Sequence, residues 1–446
     1  MGILSSVSKQ TKLFIIAGVS AIVVIILLMF IVIGNIGKRQ VPDSVTLQFW
    51  GVFDGGDSFK EAIDSYEKLN RGVNILYKEL TFEEYENQLI DSFAAGTGPD
   101  MWMMHNTWLP KHGDKIAALP QSIGGEPFFT IKDFQDQFVD VAVKDLIFNN
   151  QIGALPIYVD TLALYYNKDI FNTVGIAKPP ASWEDFNEAV KKITARDSKG
   201  NITRSGAAIG TARNINRSTD ILMLLMLQSG ARMTDPSQSV ATFATPVSGQ
   251  NTGEVALQYY TDFANPVKSV YTWSDQQFYS IDAFITGKTA MMFNYSHHIP
   301  TIRDKAVRFN FGVAQMPQIA GTPVKVNFAN YWAPTVAKSS KNINEAWKFL
   351  VFLSSKEGAS SYLNETDRPP ARRDLVQEQK NLPDIGIFAE QALSAKSWYQ
   401  VDNTAIDDIF ADMIDNINFG RSSVKESIRA AESQVTVLMR KARAVF

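Results

Sequence analysis

The fold is decided by residues 45–104, which read VTLQFWGVFDGGDSFKEAIDSYEKLNRGVNILYKELTFEEYENQLIDSFAAGTGPDMWMM. Residues 45–50 alternate apolar and polar side chains, which is the pattern of a half-buried strand. Stretches 58–70 and 82–95 have the apolar spacing of helices and alternate with the apolar runs 73–77 and 101–104. This order of strands and helices predicts an α/β sheet with crossover helices.

The same alternation returns further along the chain. Residues 162–166 form an apolar run typical of a strand, and 182–193 have the pattern of a helix with Ser182 as its N-cap. The last third is mainly helical, with helices expected at 344–353, 403–417 and 423–442. Because 446 residues exceed what one core accommodates, the sequence predicts two α/β lobes with additional C-terminal helices.

Composition excludes several classes of protein. Charged residues make up 20% and hydrophobic residues 45% of the chain, which is typical of a globular protein. The formal net charge of -3 offers no basic field for a phosphate backbone, so no nucleic acid partner is expected. The chain has no cysteine, and its four histidines lack the spacing of a helical metal site. Neither a metal nor any other cofactor is therefore predicted.

The N-terminal segment differs in kind from the rest. Residues 13–36 are uncharged and long enough to cross a bilayer, so we expect a cytoplasmic N-terminus at 1–12, a transmembrane anchor at 13–37 and a linker at 38–43. A cleaved signal peptide is the alternative. The apolar run is longer than the usual signal core, and no small-residue cleavage site follows it. Positive charges flank both ends equally, so charge does not determine which side the body faces.

Five motifs occur in an order that points to a known family. They are residues 47–50 followed by a Gly/Asp loop, Gly96-x-Gly98-Pro99-Asp100, the long stretch 155–186, Phe284-x-x-Gly287-Lys288-x-Ala290-Met291, and Lys338–Lys341 with 346–350. The third is the most specific. Through these motifs the chain, from about Val45 to the C-terminus, resembles the bacterial family 1 extracellular solute-binding proteins of ABC importers, the group that contains the maltodextrin-binding protein.

The resemblance implies a fold and a location. The expected architecture is the two-lobe periplasmic-binding-protein-like α/β fold with a central ligand cleft. Mapping the motifs assigns 44–153 and 291–337 to the N-terminal lobe and 154–290 and 338–446 to the C-terminal lobe. Members of this family commonly carry a cleaved signal or a lipid-anchored cysteine, whereas this chain has an apolar segment and no cysteine. We therefore expect a single-pass protein of the cell membrane whose body lies on the extracytoplasmic side.

The function implied is that of the substrate-binding component of an ABC importer. It would bind a small solute, a sugar or oligosaccharide, by hinged closure of the lobes and pass it to the permease subunits. A membrane-anchored carbohydrate-active enzyme is one alternative, although no catalytic signature selects a pair of carboxylates. A ligand-sensing receptor that does not transport is another, and the sequence does not separate it from an importer component.

The resemblance also implies which residues contact the ligand. A sugar needs aromatic rings against its C–H faces and planar polar groups around its rim. In the N-terminal lobe and first crossing these are Asp54, His105, Asn106, Thr107, Trp108 and Asp160. In the C-terminal lobe and later crossings they are Asn216, Arg217, Tyr295, His297, Tyr331, Trp332 and Trp398. Asp54 is equally well explained as a turn residue, Arg217 as a solvated surface charge, and each later aromatic as core packing.

Overall fold

The computed structural model describes residues 8–10, 14, 17–20, 22–26, 29 and 44–445. Within these ranges, no helix combines the length and the apolar character needed to cross a membrane. Most of the predicted segments at 1–12 and 13–37, and all of the linker at 38–43, lie outside the described residues.

The strands from residue 44 onward belong to several small sheets. They are β1 (Val45–Val52), β2 (Val73–Leu80), β3 (Met101–His105), β4 (Ser122–Ile123), β5 (Glu126–Pro127), β6 (Ile147–Phe148), β7 (Gln151–Ile152), β8 (Asp160–Thr161), β9 (Ala163–Asn167), β10 (Ala195–Arg196), β11 (Ile202–Arg204), β12 (Met291–Asn294), β13 (Phe311–Ala314), β14 (Asn327–Asn330), β15 (Trp332–Val336) and β16 (Ala395–Lys396).

Helices cover these sheets and dominate the C-terminal part. They are α1 (Gly56–Leu69), α2 (Phe82–Ala94), α3 (Leu109–His112), α4 (Ile131–Gln137), α5 (Asp140–Leu146), α6 (Lys168–Thr173), α7 (Trp183–Ile193), α8 (Ser218–Gln228), α9 (Thr252–Asp262), α10 (Ser280–Ile285), α11 (His298–Lys305), α12 (Ile343–Leu353), α13 (Lys356–Thr366), α14 (Arg373–Gln379), α15 (Ile385–Ala392), α16 (Asn403–Asn418) and α17 (Val424–Val445).

The first lobe is built on the sheet β15-β3-β1-β2. Strand β1 runs parallel to both β2 and β3, while β15 returns antiparallel to β3. The alternation in β1 buries Leu47 and Phe49 completely, and Phe49 packs against Phe59 of α1 with ring centroids 5.2 Å apart. The strand and helix order predicted for 45–104 is therefore confirmed.

The second lobe is organised around the antiparallel sheet β12-β9-β13. Helix α7 begins where the sequence predicts, because the Ser182 hydroxyl accepts a hydrogen bond from the backbone N–H of Asp185 at 3.1 Å. Its buried face includes Phe186, whose ring lies 5.4 Å from Phe293 of β12. The second lobe thus has a core of its own.

The lobe boundaries expected from the motifs are wrong at two of the three crossings. Strand β12 pairs with β9, so the chain after residue 290 stays in the second lobe as far as 328. Helices α12 and α13 instead return to the first lobe, where Phe349 packs against Phe49 at 6.3 Å and Tyr362 against Phe59 at 5.0 Å. The chain crosses at 159–162, at 328–329 and between 376 and 398.

The three crossings meet in one small sheet. Strand β14 pairs antiparallel with β8 and parallel with β16, so each crossing segment contributes a strand. A change in the angle between the lobes therefore concentrates in these few residues. We call β8, β14 and β16 the hinge sheet.

Candidate functional site

A cavity of about 700 Å³ lies between the two lobes, beside the hinge sheet. Its lining comes from both lobes and from the crossings. The lining includes Phe53, Phe82, His105, Asn106, Thr107, Trp108, Tyr158, Asp160, Arg217, Asp220, Tyr295, His297, Asn330, Trp332, Arg368, Asn403 and Asp407.

The wall formed by the first lobe is aromatic. Trp332, at the start of β15, lies edge-to-face against Trp108 with ring centroids 4.9 Å apart. Tyr85 of α2 supports both indoles, at 6.2 Å from Trp108 and 5.7 Å from Trp332. Trp108 is only 4% exposed, so it is packed into the wall that it lines.

Two phenylalanines extend this wall to the rim of the cavity. Phe53 and Phe82 stack at 5.2 Å with their planes 22° apart, and their residues are 53% and 52% exposed. The backbone of Phe53 has φ 70°, a left-handed conformation that is unfavourable for a bulky residue. The sequence analysis did not identify either residue. The only signal was the position of Phe53 in the loop that follows the first strand.

Asp160 stands at the hinge end of the cavity. It is 2% exposed, and its carboxylate accepts hydrogen bonds from the backbone N–H of Ser296 at 3.0 and 3.1 Å and from the Ser296 hydroxyl at 2.7 Å. The Nδ1 atom of His297 lies 3.7 Å from the same carboxylate. Asp160 therefore fixes the loop after β12 as well as facing the cavity.

The second lobe contributes a charged wall. Arg217 precedes α8 with φ 64°, and its guanidinium lies over the ring of Tyr295 at 5.3 Å. The Tyr295 hydroxyl donates to Asp220 at 2.7 Å. The Arg217 Nε atom is buried and has no hydrogen-bond partner in the described part of the chain. Arg217 is thus a partly buried cation of the cavity, and its expected alternative as a solvated surface charge does not hold.

Two carboxylates surround this arginine. Burial raises the pKa of Asp220, and burial together with the negative charge of Asp220 raises the pKa of Asp407. The hydroxyl of Thr219 donates to Asp407 at 3.0 Å. The wall therefore presents hydrogen-bond acceptors beside a donor, as recognition of hydroxyl groups requires. Sequence reasoning missed both carboxylates because they lie within helical segments without a motif.

The residues at the end of β3 and directly after it line the cavity, and neighbouring side chains also hold them in place. His105 contacts the Thr107 hydroxyl at 2.8 Å through Nδ1 and Asn330 at 3.3 Å through Nε2. Burial lowers the pKa of His105 to about 4, so it is neutral near pH 7. The side-chain amide of Asn106 donates to Asp145 at 3.0 Å. One polar edge of the cavity is thus already organised.

Asp54 does not line the cavity, contrary to expectation. It accepts hydrogen bonds from Arg368 at 2.7 Å and from the Tyr362 hydroxyl at 2.8 Å. Arg368, which does line the cavity, lies over the ring of Tyr158 at 4.5 Å. Asp54 therefore acts through Arg368, a residue that no motif singled out.

Three other predicted contacts also lie outside the lining. Asn216 hydrogen-bonds to His298 at 3.2 Å. Tyr331 is fully buried and donates to Asp145 at 3.0 Å, pointing away from the cavity that its neighbour Trp332 faces. The Trp398 indole is turned toward Met223, whose sulfur is 3.3 Å away. Core packing explains Tyr331 and Trp398.

No cluster of three or more histidine, aspartate or glutamate side chains within the described ranges has the geometry of a metal site.

A sequence model of bacterial extracellular solute-binding proteins matches residues 61–386. The chain belongs to the bacterial extracellular solute-binding protein family. This is a family of binding proteins and not of enzymes, and it places the body on the extracytoplasmic side.

Relatives of known description are distant but extend over most of the chain. The galactooligosaccharide-binding protein of Bacillus subtilis is 22% identical over an alignment that covers 74% of this chain and 74% of its own. The sn-glycerol-3-phosphate-binding periplasmic protein of Shigella dysenteriae is 25% identical over 75% of this chain and 76% of its own. The structure of the sugar-binding protein MalE from Xanthomonas citri superposes with a TM-score of 0.74 at 19% identity, covering 90% of this chain and 99% of the other. The periplasmic-binding-protein-like fold of this solute-binding protein is thereby confirmed.

Proposed function

We propose that this solute-binding protein binds a saccharide in the cavity between its lobes and delivers it to the permease of an ABC importer. One observation carries the proposal. The cavity has an aromatic wall on one side and a wall of charged hydrogen-bonding groups on the other, which matches the apolar faces and polar rim of a pyranose ring. The sugar-binding descriptions of several relatives support the same ligand class.

The ligand contacts that we propose come from both lobes. Trp108, Trp332, Phe53 and Phe82 present ring faces and edges from the first lobe. Arg217, Asp220, Tyr295, His297 and Asp407 present polar atoms from the second, with Asp160, Asn330 and Arg368 near the hinge. Since neither lobe alone supplies all of these contacts, the bound ligand favours the closed arrangement of the lobes.

The charged side chains of the cavity favour a neutral polyol over a phosphate ester as the ligand. Arg368 is neutralised by Asp54 at 2.7 Å, whereas Arg217 shares the wall with Asp160, Asp220 and Asp407. A dianionic ligand would lie beside three acidic side chains and would add to the negative charge that already raises the pKa of Asp407. We therefore assign a saccharide and not a phosphorylated glycerol to the cavity.

The binding test uses the full-length protein purified in detergent. Native mass spectrometry identifies any ligand that is carried through purification. Titrations with maltotriose, a galacto-oligosaccharide and glycerol 3-phosphate then compare ligand classes by the change in tryptophan fluorescence. Saturable binding of a saccharide without its breakdown is expected. Binding of glycerol 3-phosphate alone, or hydrolysis of a bound saccharide, would contradict the proposal.

We further propose that residues 13–37 remain as a single-pass anchor. The support is the uncharged run at 13–36, which is followed by charged residues and no cysteine. Protease added to intact cells should release the body and leave a short N-terminal fragment in the membrane. A mature N-terminus beyond residue 38 would show instead that the segment is removed.

A further inference from the structure

Two polar contacts join the lobes beside the cavity. The indole N–H of Trp108 donates to the side-chain oxygen of Asn403 at 2.9 Å. One helical turn later, the Lys111 ammonium lies 3.0 Å from the carboxylate of Asp402. Trp108 and Lys111 belong to the first lobe, while Asp402 and Asn403 begin α16 of the second.

Each charged partner is held in position by its own lobe. The Lys111 ammonium also lies 2.7 Å from Glu86 of α2, which stays beside it whatever the angle between the lobes. Asp402 uses one carboxylate oxygen, Oδ1, to accept the N–H of Ala405 at 3.1 Å and so caps α16. Its other oxygen, Oδ2, faces Lys111.

This arrangement reduces the entropic cost that normally weakens a surface ion pair. Exposed pairs are weak partly because two long side chains must be immobilised together. Here the side chains of Lys111, Glu86 and Asp402 are 26%, 26% and 32% exposed, and each already has a partner within its lobe. Partial burial also reduces screening by salt. The pair therefore favours closure without taking part in ligand contact, since Lys111 and Asp402 do not line the cavity.

We infer that Lys111 and Asp402 form a latch that holds the two lobes in the closed arrangement independently of the ligand. They are positioning residues, since they set the population of the closed arrangement and neither of them lines the cavity. The inference goes beyond the proposed function, because it concerns the angle between the lobes and not the chemical class of the ligand. The latch breaks on opening, whereas the contact between Lys111 and Glu86 persists.

Two variants remove the ion pair between Lys111 and Asp402, and a third serves as the control. Asp402→Asn removes the charge but keeps a side-chain oxygen that accepts the Ala405 N–H, so α16 remains capped. Lys111→Met removes the cation and keeps a chain of similar length. Asp64→Asn is the matched control, because Asp64 pairs with Lys60 at 2.6 Å on the surface of α1, within one lobe.

The experiment measures the distance between the lobes in the ligand-free, full-length protein. Because the chain has no cysteine, Glu61→Cys in the first lobe and Val255→Cys in the second provide unique sites for spin labels. Pulsed electron resonance then gives the populations of short and long distances.

We expect Asp402→Asn and Lys111→Met each to lower the ratio of closed to open protein by about two- to fivefold, with the double variant no lower than the singles. Asp64→Asn should match the parent. Unchanged populations in both latch variants, or additive effects in the double variant, would overturn the inference. No ligand is present in this measurement, so its outcome is separate from that of the saccharide titrations.

Discussion

The carboxylate of Asp160 receives both the backbone N–H and the hydroxyl of Ser296, at 2.7 to 3.1 Å, although 136 residues separate them. Asp160 is in β8 of the hinge sheet, and Ser296 follows β12 of the second lobe. The hydrogen bonds join the first crossing to the second lobe, so Asp160 moves with that lobe when the angle between the lobes changes.

Replacement of Asp160 by Asn should weaken the fold as well as ligand binding. The amide has one acceptor oxygen where the carboxylate has two, and the hydrogen bonds to a buried charge are lost. We expect a loss of about 2 kcal/mol in the free energy of unfolding. Urea denaturation measures it. In a double-mutant cycle with Ser296→Ala the two losses should be strongly non-additive, and simple additivity would show that the residues do not act as a pair.

Trp108→Ala should destabilise the protein even without ligand. The ring is 4% exposed and packs against Trp332, Tyr85 and His112. The empty space left by removing a buried indole lowers the unfolding free energy by about 3 to 5 kcal/mol. Trp108→Phe keeps most of the packing and loses the hydrogen bond to Asn403, so its cost should be smaller, about 1 to 2 kcal/mol. Equal stability of Trp108→Ala and the parent in thermal denaturation would refute the packed position.

Phe82→Ala should weaken ligand binding with little change in the stability of the fold. The residue is 52% exposed and stacks on Phe53 at the cavity rim, so the unfolding free energy should change by less than about 1 kcal/mol. Affinity for the saccharide should fall by about fivefold, the scale of one aromatic contact. Leu69→Ala is the control, since Leu69 is 71% exposed and does not line the cavity. Affinity unchanged by Phe82→Ala would exclude the rim stack from the binding surface.

Asp145 should make stability depend on pH. It accepts hydrogen bonds from Ser397, Asn106 and Tyr331, yet burial raises its pKa from 3.8 to about 6. An acid with a raised pKa binds its proton more tightly in the folded state, so its contribution to stability falls as pH rises from about 4 to 6. The shift corresponds to at most about 3 kcal/mol.

The measurement compares Asp145→Asn with the parent protein by urea denaturation at several pH values. The parent should lose stability relative to the variant between pH 4 and 6, and the difference should be constant above about pH 7. A difference that is constant across the whole range would mean that Asp145 does not titrate there.

The sequence predicted those strands and helices whose formation depends on residues close together in the chain. Strand β1 is visible because alternating side chains match a sheet with one buried face, and α7 because Ser182 caps it. The resemblance pointed to Trp108, Asp160 and Trp332 as ligand contacts, and all three line the cavity.

Contacts between residues that are far apart in the sequence could not be predicted from such local patterns. Arg368 reaches the cavity only because Asp54, 314 residues earlier, holds it, and Asp407 does so only because α16 packs beside α8. The crossing at 328–329 was misplaced because the motif at 284–291 leads into a strand but does not give that strand's pairing partner.

The sequence by itself therefore determined the order of strands and helices over 45–104, the class of fold and the family, since these depend on residue periodicity and on motifs within short segments. Only the tertiary structure decided which lobe each segment joins and which polar side chains face the cavity. Pairing between strands and pairing between charges depend on distances between remote residues, and a linear sequence does not contain those distances.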